Sequence, residues 1–118
     1  LCEVPGIDAY AARELLALPA EQAEALLIAL GRAEAFAACG LLYAAVDECE
    51  RAVAAAPDFL PAQIGLARVF ERMGRQAAAR EKYAAVAAVC DLRGDAEVAQ
   101  LLRELARGLK EPNESWER

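Results

Sequence analysis

Sliding the 118-residue chain against itself by 34 positions lays one stretch of helical patterning on the next. Ala33 falls on Ala67, Phe36 on Phe70, Gly40 on Gly74, Ala45 on Ala79, Cys49 on Tyr83 and Ala52 on Val86. Gly6, Ala11, Leu15 and Leu18 continue the pattern backwards. Each match has a physical task. The alanines let paired helices approach closely, the phenylalanines fill the space between successive helix pairs, and the glycines supply the left-handed backbone that ends a helix. A single helix pair cannot bury its own apolar face, so a recurrence of this length demands stacked neighbours.

Breakers and apolar spacing divide the chain into six helices. Residues 1–6 are expected to be irregular, with Pro5 and Gly6 as breakers. The first helix then carries Asp8 in its opening turn, favoured by the helix dipole, and runs to about Leu18. Pro19 opens a second helix that reaches Ala38, within which Gly31 marks a break or a close crossing. Three more are expected at Leu41–Ala56, Pro61–Met73 and Gln76–Asp91. Asp95 is placed to cap a sixth, Ala96–Leu109. The polar tail 111–118 is expected to be flexible, although its Trp116 would suit docking on a neighbour.

Composition supports helix throughout. Alanine, the best helix former, supplies much of the 58% hydrophobic content, while threonine is absent and isoleucine is confined to Ile7, Ile28 and Ile64. The fold class expected is therefore all-α. The order of small and large residues, clearest in Leu66-Ala67, Phe70, Gly74, Ala79 and Tyr83, resembles the tetratricopeptide repeat (TPR), whose period is also 34. The resemblance implies an α-solenoid of antiparallel helix hairpins filling residues 1–110, with a half repeat at 6–18, full repeats at 26–59 and 60–93, and a capping helix at 95–109. The chain departs from the family's pattern where Ala29 and Arg32 replace an aromatic residue and a leucine, and where the second repeat lacks a closing proline.

Much chemistry is excluded. The chain has no histidine, and its one serine is Ser115, so Ser-His-Asp and Cys-His nucleophiles cannot be built. No phosphate-cradling glycine motif occurs. Asp47, Glu48 and Glu50 adjoin in sequence, which spreads them around a helix instead of converging them. Cys2, Cys39, Cys49 and Cys90 form no metal-ligand spacing; Cys49 and Cys90 read as small core hydrophobes, and a Cys2–Cys39 disulfide is left open. The expectation is no enzyme, no cofactor and no metal. Net charge is −6, divided as −7 over residues 1–59 and +1 over residues 60–118. That balance opposes nucleic-acid and anionic-membrane binding. Arg68, Arg72, Arg75 and Arg80 form a local basic cluster suited to an acidic partner.

No apolar run approaches bilayer length, no signal peptide is visible, and reduced thiols suit a cytoplasmic protein. The start at Leu1 is what a piece of a longer protein would show, and the alanine- and arginine-rich composition suggests a bacterial source.

In the resembling family the first helix of each hairpin lines a concave groove for peptides or partner helices. Carried over, that groove holds Leu27, Leu30 and Glu34 on the second helix and Ile64, Arg68, Glu71 and Arg72 on the fourth. The lysine and asparagine slots that clamp chaperone C-termini in some members hold Leu30 and Glu34, which disfavours that specificity. The function expected is a protein–protein interaction (adaptor or scaffold) domain whose partner carries an acidic group. The alternatives are self-association as a homodimer and a regulatory accessory domain of a longer bacterial protein.

Overall fold

The computed structural model describes residues 5–109. Cys2, with its disulfide question, and the tail with Trp116 lie outside them. Six helices follow one another: α1 (Pro5–Leu16), α2 (Ala20–Ala38), α3 (Leu42–Ala55), α4 (Leu60–Arg72), α5 (Gln76–Leu92) and α6 (Ala96–Arg107). No strand occurs among the described residues, and the fold is all-α. Pro5 and Gly6 belong to α1, correcting the expectation that they break the chain. Proline is tolerated in a first turn because its missing N–H would have no intrahelical partner there. Gly6 has a packing reason: a Cβ added to it would lie 2.5 Å from Leu101 Cδ1. Pro19 sits at the N-cap of α2, one residue before the helix, and Pro61 inside the first turn of α4.

From α2 onward each helix packs on the next. Three of the four connections are built alike. Gly40, Gly74 and Gly94 have φ of 83°, 82° and 84°. In each case the following N–H donates back to a carbonyl five residues earlier: Leu41 to Phe36 at 2.8 Å, Arg75 to Phe70 at 2.9 Å, Asp95 to Cys90 at 2.8 Å. This Schellman closure satisfies the last helical carbonyls and reverses the chain within three residues, which sets consecutive helices antiparallel. Only glycine reaches that backbone region without a Cβ clash. The α3–α4 connection has no such glycine and turns through Ala56–Phe59, with the Phe59 side chain buried.

The core lies along α4. Ile64 and Ala67 face a cluster with Tyr83, Val86, Cys90, Ala99 and Leu102. Leu66 and Val69 face Ala33, Ala37, Ala45 and Cys49. Ala62 meets Leu26, Ala52 and Phe59. Full burial of a valine- to leucine-sized side chain contributes about 1.5–3 kcal/mol, so α4 holds both neighbouring helix pairs in place.

α1 does not continue the stack. A half repeat at 6–18 would lie beside α2 as α3 lies beside α4. Instead α1 touches α6, α4 and α2 together and is most closely associated with α6. Ile7 and Tyr10 enter the cluster shared by α4, α5 and α6, while Leu15 and Leu18 pack against the cluster of Leu26, Ala52 and Phe59. Charge also ties α1 across the molecule: the Arg13 guanidinium donates to Asp95 Oδ1 at 2.9 Å, and Arg93 lies between Glu14 at 4.0 Å and Asp58 at 3.9 Å. Asp95 is at the N-cap of α6, as expected, but makes no side-chain cap bond there.

Candidate protein-binding groove

The face made by α2, α4 and α6 is the one on which α1 rests. Between α1, α2 and α4 a cleft of about 140 Å³ remains, lined by Ile7, Asp8, Leu30, Glu34, Ile64 and Arg68, with small residues between them. The smallness of Ala11, Ala33 and Gly65 keeps the cleft open. Its floor is apolar: Ile64 is buried and Leu30 half-buried. Its rim is charged through Asp8, Glu34 and Arg68.

Four of the seven residues expected in a groove therefore meet: Leu30, Glu34, Ile64 and Arg68. Three lie elsewhere. Leu27 is 57% exposed on α2, outside the cleft. Glu71 turns toward α5, where it accepts a hydrogen bond from the Tyr83 hydroxyl. Arg72 is exposed at the end of α4. The arginine cluster disperses. Arg68 lies 3.7 Å from Glu71. The Arg75 guanidinium stacks over the Phe70 ring, 4.9 Å from its centroid. Arg80 donates to the Leu109 carbonyl at 2.7 Å. Spacing along a helix predicts which side chains share a face, but not which of them a neighbouring carboxylate, ring or carbonyl will capture.

The lining residues that helical spacing did not point to are Ile7, Asp8 and Ala11 of α1, together with Ala33, Pro61 and Gly65. Ile7 and Tyr10 stand three apart, which announces a buried stripe but leaves open what covers it. Tyr10 is anchored at depth: its hydroxyl lies 3.9 Å from the Cys90 sulfur, and burial raises its pKa, with Cys90 and Glu14 adding to the shift. Burial likewise raises Tyr83, reinforced by its bond to Glu71, and raises Cys90. The Cys49 thiol is pushed up to about 11 by burial, with Glu48 and Glu50 adding to it. These groups are held neutral, as core residues are, and are poor nucleophiles at neutral pH.

Asp47 and Glu50 are exposed, while Glu48 is buried and accepts from Arg51 Nη1 at 2.9 Å, so the three carboxylates diverge. Among the described residues no three Cys, Asp or Glu side chains gather where a metal ion would fit, and no helix is long and apolar enough to cross a membrane. No protein-family model, no curated protein and no solved structure matches the chain.

Proposed function

We propose that this chain is a non-catalytic protein–protein interaction domain of the tetratricopeptide type, an adaptor or scaffold that receives a helix or peptide on the face formed by α2, α4 and α6. The observation that carries the reading is α1 itself. A helix of 12 residues rests on all three helices and inserts Ile7 and Tyr10 between them, so the face has the width and chemistry to hold a helix. The 34-residue recurrence and the paired turns at Gly40 and Gly74 support the repeat assignment. A partner residue of apolar character enters the cleft over Leu30 and Ile64. Because Arg68 is engaged with Glu71, an acidic group on the partner falls to Arg72, exposed one turn further along α4. A cytoplasmic setting belongs to the same proposal.

The reading is tested by offering the face a helix in trans. A labelled peptide of residues 5–18 is titrated with the native chain and with the Ile7→Ala/Tyr10→Ala variant, whose own α1 is loosened, and anisotropy is recorded. The tethered α1 competes at an effective concentration in the millimolar range, so the native chain should bind the peptide at least ~10-fold more weakly than the variant. A folded variant that ignores the peptide would reject the face as a helix receptor.

A further inference from the structure

The two ends of the helix stack are finished differently. α6 closes one end with a polar outer side: Glu97, Gln100, Glu104 and Arg107 are exposed, opposite the buried Val98, Ala99, Leu102 and Ala106. α2 stands at the other end without such a finish. Ile28 is 52% exposed, Leu27 57%, and Glu24, Gly31, Arg32 and Ala35 are exposed beside them. Beside Gly31 the space is open: a Cβ built there would meet nothing within 4 Å.

The recurrence says what this face is for. Shifted by 34, Ile28, Arg32 and Ala35 become Ala62, Leu66 and Val69. In α4 those three are 0%, 5% and 0% exposed, because the preceding pair α2–α3 covers them. Among the described residues no helix pair precedes α2, since α1 lies across the α2–α4–α6 face and does not fill that place. Among the described residues nothing fills this position of the stack.

We propose that a second copy of this chain fills it, through an antiparallel α2–α2 contact with its two-fold axis at Ile28. The charges commit the occupant. Glu24 and Arg32 stand four residues before and four after Ile28, on one i±4 ridge, and all three are exposed. A two-fold axis at Ile28 sets Ile28 on Ile28 and places each Glu24 opposite the other copy's Arg32, so the patch complements itself, as an isologous interface must. Gly31 supplies the hollow beside which the partner's Ile28 is seated. With one helix face per copy, the contact is small by the standard of stable dimers, so the dimer is a weak one. This inference does not rest on the groove.

Sedimentation equilibrium of the native chain and three charge variants decides it, on a face where substitution leaves the core untouched. The native chain should show a monomer–dimer equilibrium in the range of ~10–500 μM. Glu24→Arg and Arg32→Glu each create two like-charge pairs per dimer and should weaken association at least ~10-fold. The double variant Glu24→Arg/Arg32→Glu restores opposite charges and should recover dimerisation to within ~3-fold of native. A native chain that stays monomeric at 500 μM overturns the proposal. So does association unaffected by the single changes, a double variant that fails to recover, or growth beyond two copies.

Discussion

α2 and α4 occupy equivalent places in the 34-residue recurrence, yet α4 buries seven of its 13 residues and α2 three of its 19. Helix-forming capacity is not the difference, since both are regular and both end in the same glycine turn. Position is. α4 has a helix pair on either side, whereas α2 has one on a single side and α1 lying along another. A repeat specifies how units join, and a unit's burial follows from how many neighbours it has. The same residue slot can thus be core in one unit and surface in the next.

The comparison is broken most forcefully by placing a carboxylate in both slots. Val69→Asp puts a charge among the apolar Ala33, Ala45 and Cys49, and should cost more than ~4 kcal/mol or prevent folding. Ala35→Asp, its counterpart on α2, should cost under ~1 kcal/mol, mostly helix propensity. Urea denaturation followed by far-UV circular dichroism at micromolar concentration separates the two. Equal costs would mean the two helices are equally covered.

Alkaline pH probes the matched pair Cys49 and Tyr83. Burial raises the Cys49 thiol from 9.0 to about 11, so its contribution is fully present below pH 9 and lost as pH climbs through 11. The loss should be on the order of 3 kcal/mol. Tyr83 is raised from 10.0, so its loss begins about one pH step later. Denaturation midpoints at pH 8, 9.5 and 11 should fall, and Cys49→Val should reduce the earlier part of that fall, to which the buried Cys90 thiol also contributes. An unchanged profile in Cys49→Val would place the thiol in contact with water.

Smaller effects come from the glycines. Alanine at Gly40 or Gly74 must adopt φ above 80° and should cost about 1–2 kcal/mol at either turn. Gly31→Ala meets open space in a helix and should stabilise the monomer by up to ~1 kcal/mol. A cost at Gly31 would show that its hollow is already filled.

Most of the helical layout was legible. Boundaries of α2 to α6 fall within two residues of those expected, because alanine-rich periodicity and left-handed glycines are local signals. What could not be read was which surface each face meets. Gly6, Ala11, Leu15 and Leu18 fit the repeat spacing, yet the packing of α1 is decided by Ile7 and Tyr10 reaching the α4–α6 cluster. Asp95 was legible as an N-cap position, but its carboxylate is taken by Arg13, 82 residues away, and no local rule foresees that. Of the cleft, the approach of Leu30 and Ile64 to one another was legible. The fate of Glu71 was not, because it depends on Tyr83 arriving from α5.

The placement of α1 across α2, α4 and α6 is the point on which both the candidate groove and the exposed outer face of α2 depend. Proton NOE spectroscopy of the native chain tests it directly through the Tyr10 ring. The account predicts cross-peaks from that ring to Cys90 and from Ile7 to side chains of α4 and α6. Cross-peaks from both residues confined to α2, as a helix stacked in line with the others would give, would contradict it.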